Sequence, residues 1–169
     1  EFRMPGSSFN IACTNIMLNT AVADELMAFA DELEARGISR EMAAGLASSF
    51  GGGLGRLREV CGCVSGMALV CGALEGYTDP EAAAEKQDHY KKIQELVTTF
   101  KNENGSYICR ELLAKAGAAP AGGTAAEDRT ADYYKKRPCP ELCRLCADLC
   151  AEFIAAHPEG RHGLYKEDA

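Results

Sequence analysis

Cys139, Cys143, Cys146 and Cys150 stand four, three and four residues apart, in a stretch otherwise made of Leu, Ala, Pro and charged residues. At 100° per residue these offsets place all four thiols within a stripe about 60° wide on one helix. Leu142, Leu145, Leu149 and Phe153 form an apolar face beside that stripe. The segment therefore reads as a helix that opens at Cys139-Pro140 and ends near His157-Pro158, with four sulfurs along one edge. Cysteine also serves as a small hydrophobe in cores. Four on one edge favour chemistry over packing, because Ala, Val or Leu would pack as well without the reactivity.

The rest of the sequence agrees with a helical fold. Ala, Leu, Met, Glu and Lys are abundant and Trp is absent, a profile that favours helix over strand. At 169 residues the chain suits one domain with a core of its own. The expected architecture is all-α, a single-domain bundle of about five or six helices. Residues 1–8 form an N-terminal segment in which 1–3 read as a cloning remnant. The cysteine-rich domain spans 9–156, and 157–169 form a polar tail expected to be disordered.

Along the chain, Ser7 and Ser8 cap a first long helix over about 9–35. Its apolar positions Ile11, Met17, Leu18, Val22, Leu26, Met27 and Phe29 recur at helical spacing. Ser39 caps a short second helix bearing Met42, Leu46 and Phe50, followed by Gly51-Gly-Gly-Leu-Gly55, too rich in glycine for a helix interior. A third helix from about Arg56 or Glu59 to Leu74 is apolar nearly all round and belongs in the centre of the bundle. Gly62, Gly66 and Gly72 within it point to close approach of a neighbouring helix or a ligand. Asp79-Pro80 opens a fourth helix over about 80–102, with Tyr90, Ile93, Leu96, Val97 and Phe100 on one face. Ser106 caps a short helix through Cys109-Arg-Glu-Leu-Leu113. Residues 117–128 read as a flexible Ala/Gly/Pro loop.

Nine cysteines cannot all pair within one chain, which weakens a secreted disulfide framework. No signal peptide and no apolar run of membrane-spanning length is legible. These features point to a reducing, cytoplasmic setting, where clustered thiols serve metal or redox chemistry. A net charge of -7 argues against nucleic acid as partner. The elongated apolar first helix would offer a surface for a homodimer.

Disulfides along the terminal stripe are strained, because thiols three or four residues apart have nearly parallel Cβ bonds. Soft-cation ligation is not. Thiolates suit Cu(I), Zn and iron-sulfur clusters, and a closed site needs ligands from a second element. The candidate ligands are Cys61, Cys63, Cys109, Cys139, Cys143, Cys146 and Cys150, with Cys71 as a further option. Cys109 and Cys139 open helices and Cys61 follows the glycine loop, positions where exposed N–H groups favour thiolate. These three are the candidate nucleophiles. His89, His157 and His162 show no ligand spacing, and the glycine loop lacks the Lys-Ser/Thr of a P-loop.

Phe50-Gly-Gly-Gly-Leu-Gly-Arg56, then Cys61-Gly62-Cys63-Val64-Ser65-Gly66, then Cys109-Arg-Glu-Leu-Leu113 resemble a bacterial family to which redox activity is ascribed, known by its cysteine signature C-GCAxxG-C-C. The resemblance covers about residues 19–113 well and the last helix loosely. It implies an all-helical fold, a redox role and four characteristic cysteines. Cys61 and Cys109 match two of them, and the fourth falls on Cys143 or Cys146. The first departs from the pattern: Asn19-Thr20-Ala21 stands where the family has Asn-Cys-Ala, and Cys13 lies seven residues earlier on the same helical face.

Two functions follow as expectations. One is a redox-active thiol protein, an oxidoreductase or electron-transfer protein working with a redox partner. In it Cys61 and Cys109 cycle between dithiol and disulfide or hold an iron-sulfur or similar cofactor, with Gly52, Gly53, Gly62 and Gly66 allowing its close approach. The alternative is a non-catalytic protein that binds or stores a soft metal ion, Cu(I) or Zn, along the thiol stripe. A helical interaction module with a cysteine-rich core is the third reading.

Overall fold

The computed structural model describes residues 39–118, 123–125, 128, 130–158 and 160. Six helices lie among them: α1 Arg40–Ser48, α2 Gly62–Glu75, α3 Ala83–Asn104, α4 Cys109–Lys115, α5 Ala131–Lys135 and α6 Cys139–Ala156. The described residues contain no sheet, only one isolated antiparallel bridge between Val60 and Ile108. The fold is all-α, as expected from composition and periodicity. The first helix expected over 9–35, Cys13 within it, the tail beyond residue 160 and much of the 117–128 loop lie outside the described residues.

Local signals explain most of the boundaries. The Ser39 hydroxyl accepts a hydrogen bond from the Met42 N–H at 3.2 Å and caps α1, satisfying one of the donors a helix start leaves over. Gly105, at φ 83°, ends α3 in the left-handed conformation, and its N–H bonds the Lys101 carbonyl at 2.7 Å, the usual chemistry of a glycine stop. Two starts come later than the sequence suggested. The Asp79 carboxylate accepts from the Glu81 N–H at 2.8 Å and makes a turn of its own, so α3 begins only at Ala83. The glycine loop continues through Arg58 in left-handed conformations, which holds back α2 to Gly62. The short α5 was not anticipated; Thr130 caps it by accepting from the Tyr133 N–H.

Helix α2 is the central element, packed against α1, α3 and α6. Its Val64, Met67, Val70, Cys71 and Leu74 are buried, as its all-round apolarity required. They meet Leu142, Cys146, Leu149, Cys150 and Phe153 of α6, and Phe100 of α3 is fully enclosed. Ile93, Leu96 and Val97 join Phe100 on the inward stripe of α3, whereas Tyr90 is 48% exposed and bonds the Tyr77 hydroxyl. Glu75, buried at the end of α2, is held by Lys92 of α3 at 2.6 Å, with Asp88 also on the ammonium at 3.1 Å. Pairing of this kind is what permits a carboxylate inside.

Candidate thiol site

The glycine loop sets the site up. Gly52, Gly53 and Gly55 adopt positive φ, and so do Leu54, Arg56 and Arg58. A Cβ at Gly53 would stand 2.7 Å from the Cβ of Cys109 and 3.0 Å from the Glu59 nitrogen, so this turn closes on Cys109 only with glycine. The chain then runs beside the segment before α4. The Cys61 N–H bonds the Tyr107 carbonyl at 2.9 Å, the Cys109 N–H bonds the Glu59 carbonyl at 2.6 Å, and Val60 bridges Ile108. Cys61 and Cys109 are thereby carried on paired segments, each at the entrance of a helix. At Gly62 a Cβ would lie 2.7 Å from the Phe50 carbonyl oxygen. The close approach inferred for this glycine is thus made by the chain's own loop.

Helix α6 brings the remaining thiols. Cys139 packs with Cys109, Leu113 and Ala118 in a small cluster beside the main core. One turn further on, the sulfur of Cys143 lies 3.1 Å from that of Cys63. Cys146 and Cys150 enter the main core with Cys71. Because Cys63 meets Cys143 and Cys71 interacts with Cys150, α2 and α6 run in the same direction, with their thiols along one seam. The stripe read from the sequence is real but divided, since its four sulfurs serve three surroundings. The eight described cysteines carry no disulfide.

Electrostatics distinguish these thiols sharply. Cys61 is lowered from 9.0 to about 6: the Cys63 thiol donates to it, the Cys63 and Val64 N–H groups at the head of α2 add to this, and together they outweigh burial. Cys63 is pushed far up, because its proton is shared with Cys143 and Cys61 and a second negative charge beside Cys61 is disfavoured. Burial drives Cys71 and Cys150 up to about 12, with Cys150 also raising Cys71. Cys146 rises through burial and through the charge on Cys61. Of the three thiols expected to gain from a helix start, only Cys61 does. At Cys109 burial outweighs the hydrogen bond from Arg58, and at Cys139 burial and neighbouring thiols outweigh Arg137.

On the other side of the Cys63–Cys143 pair, a cavity of about 300 Å³ opens between α1, α2 and α6. Cys63, Cys143, Cys146 and Cys150 contribute its sulfur-bearing wall, and Ala, Leu, Val and Met side chains with the backbone of Gly66 make up the rest. Gly66 lines it, and a Cβ there would meet nothing within 4 Å. Among the described residues, no three His, Cys, Asp or Glu side chains are gathered as a metal-ion site. His157 bonds the Phe153 carbonyl at 2.8 Å and stacks on that ring, a structural role. His89 is stacked edge-on against Tyr77.

The family model described as "Putative redox-active protein (C_GCAxxG_C_C)" matches residues 13–153. The chain belongs to the C_GCAxxG_C_C family. The matched span takes in all nine cysteines of this C_GCAxxG_C_C protein, Cys13 included. No curated protein and no solved structure matches the chain. No helix among the described residues is long and apolar enough to cross a membrane.

Sequence reasoning singled out Cys61 and Cys109 within this C_GCAxxG_C_C chain. The structure places both at paired helix entrances but puts Cys63 and Cys143 in sulfur contact. It also brings Arg58 and Arg137 to the Cys109–Cys139 cluster, a contact that no local spacing signals. Of the glycines taken as cofactor positions, Gly53 and Gly62 are filled by the chain itself, and Gly52 would clash with the Arg56 side chain at 2.9 Å. Only Gly66 faces open space.

Proposed function

We propose that this chain is a dithiol–disulfide redox protein in which Cys63 and Cys143 form the reversible disulfide and Cys61 is the reactive thiolate. The observation that carries the reading is the 3.1 Å sulfur separation across α2 and α6. A disulfide needs the two sulfurs about 2.05 Å apart, so a shift of about 1 Å between neighbouring helices suffices. The pair lies on different elements and escapes the parallel-Cβ problem of thiols within one helix. Closing the bond breaks two S–H bonds and releases two electrons and two protons. Cys61, beside Cys63 and ionised near neutral pH, would attack the disulfide of a redox partner and expel one partner thiolate. Cys63 then attacks the Cys61 sulfur and releases the second partner thiol, and Cys143 attacks Cys63, closing Cys63–Cys143 and freeing Cys61.

The test is mild oxidation with diamide under nitrogen, followed by thiol counting and peptide mapping. The expected result is a loss of two thiols from nine, with Cys63 linked to Cys143. A link between Cys61 and Cys109 instead, or nine thiols that resist oxidation, would overturn it.

A further inference from the structure

We propose that the cavity beside the Cys63–Cys143 pair is a substrate site for an uncharged, apolar two-electron acceptor of quinone class, which oxidises that pair directly. This rests on the dithiol reading above and gives its oxidant. The pair has two unlike sides. One faces Cys61 and, through it, the thiols of Cys109 and Cys139 with their arginines. The other forms part of the cavity wall.

The lining decides the class of occupant. It offers alkyl groups and sulfur and no charged side chain, so a ligand carrying carboxylates would lose their hydration there with no partner in return. Glutathione and acidic peptides are disfavoured on that ground. A volume of about 300 Å³ is at the small end for ligand sites and suits one or two rings rather than a chain segment. An apolar ring that accepts electrons against two adjacent thiols is the chemistry of a quinone. In the reaction the S–H bonds of Cys63 and Cys143 break and one S–S bond forms. Two electrons and two protons pass to the quinone oxygens, giving the hydroquinone.

Gly66 supplies the test. It lines the cavity, a Cβ there would meet nothing within 4 Å, and its helical position would gain from losing glycine. Gly66→Leu therefore fills the cavity without straining the fold, and Ala147→Leu, from the α6 wall, is an independent second filling. The reduced full chain is mixed without oxygen with duroquinone, whose fully methylated ring blocks thiol addition. The expected result is one hydroquinone formed and two thiols lost per chain, at a rate that saturates. Both fillings should slow this at least about tenfold, the scale of one badly fitted apolar group, while diamide oxidises all three proteins alike. Equal duroquinone rates in all three, or faster oxidation of the unmodified chain by oxidised glutathione, would overturn the proposal. So would an altered molecular mass of Gly66→Leu with an unchanged rate, which would give this face to contact between copies. Equilibrium dialysis of duroquinone into Cys63→Ser separates the two readings, because that variant cannot form the disulfide. One quinone retained per chain, and lost on adding Gly66→Leu, supports the cavity even if the dithiol reading fails; none retained removes it.

Discussion

At one end of the α2–α6 seam, Cys63 and Cys143 meet at 3.1 Å in half-buried positions, next to a Cys61 lowered to about 6. At the other end Cys71 and Cys150 are 0% and 4% exposed and are pushed up to about 12. The side chain is the same and the two helices are the same. What differs is the surroundings: Cys61 is lowered first by the hydrogen bond from the Cys63 thiol and then by the Cys63 and Val64 N–H groups, whereas a helix start by itself does not lower Cys109 or Cys139. At the head of α2, backbone N–H groups that no helical carbonyl uses are available to a sulfur anion. Two turns further in, burial dominates: it is the cause of the rise at Cys150 and the largest cause at Cys71, which Cys150 raises further. A row of thiols can therefore be redox chemistry at one end and core packing at the other.

Alkylation should expose this difference most strongly. At pH 7 a thiol titrating near 6 is mostly thiolate, whereas one titrating near 12 is ionised about one part in a hundred thousand. The higher-pKa sulfur is intrinsically the better nucleophile, by a factor of about 300 to 1,000 over six units. The net advantage of Cys61 over Cys71 or Cys150 from ionisation is then about 100- to 300-fold; Cys61 is itself buried at 7% exposed, so enclosure adds to the contrast with Cys71 at 0% and little to that with Cys150 at 4%. Iodoacetamide with timed peptide mapping measures this directly. Comparable rates at Cys61 and Cys71 would mean that the two ends are not chemically distinct.

The same contrast should shape stability against pH. Between pH 6 and 9 the folded chain has lost the Cys61 proton and the unfolded chain retains it, so stability rises with pH, at up to about 1.4 kcal/mol per unit. It falls away again as acid takes the pH down through 6. Above pH 9 the sign reverses: unfolded thiols ionise while Cys71 and Cys150 keep their protons to about 12, and stability declines. Urea unfolding of the reduced protein should show Cys61→Ala flattening the rise and Cys71→Ala easing the decline. A rise that survives Cys61→Ala would assign the ionised group elsewhere.

Much of this fold could be read from residue order because helical periodicity is a local property. The α6 stripe, the inward face of α3, the Ser39 cap and the Gly105 stop all follow from residues within a turn or two of one another. The thiol partners did not follow, because spacing along α6 leaves open which sulfur of α2 stands opposite. Cys63 was among the candidate ligands, yet nothing local marked it as the partner of Cys143. Helix starts suggested lowered thiols at Cys61, Cys109 and Cys139; only Cys61 is lowered, and burial beside Leu113 and Ala118 raises the other two. The late start of α2 was hidden for a related reason. Leu54, Arg56 and Arg58 adopt a backbone that non-glycine residues rarely enter, held by bonds such as Arg58 N–H to the Gly52 carbonyl and Glu59 N–H to the Gly53 carbonyl. Composition alone gave no warning of it.

Serine substitution gives the smallest effect and separates chemistry from packing. Cys63→Ser keeps a donor for Cys61 at a half-buried position, so its stability cost should stay within about 0.5 kcal/mol, yet it removes one sulfur of the pair and with it the diamide-dependent loss of two thiols. Cys71→Ser places a hydroxyl at a fully enclosed site. Its bond back to a carbonyl of the preceding turn recovers part of the desolvation, which leaves a cost of about 1–2 kcal/mol. Diamide should still close the Cys63–Cys143 bond in that variant. Unfolding midpoints and thiol counts on the two proteins should therefore move in opposite patterns, one losing chemistry and the other stability. If Cys71→Ser also abolished the diamide response while remaining folded, the inner thiols would belong to the redox system, and the seam would have to be read as one continuous site.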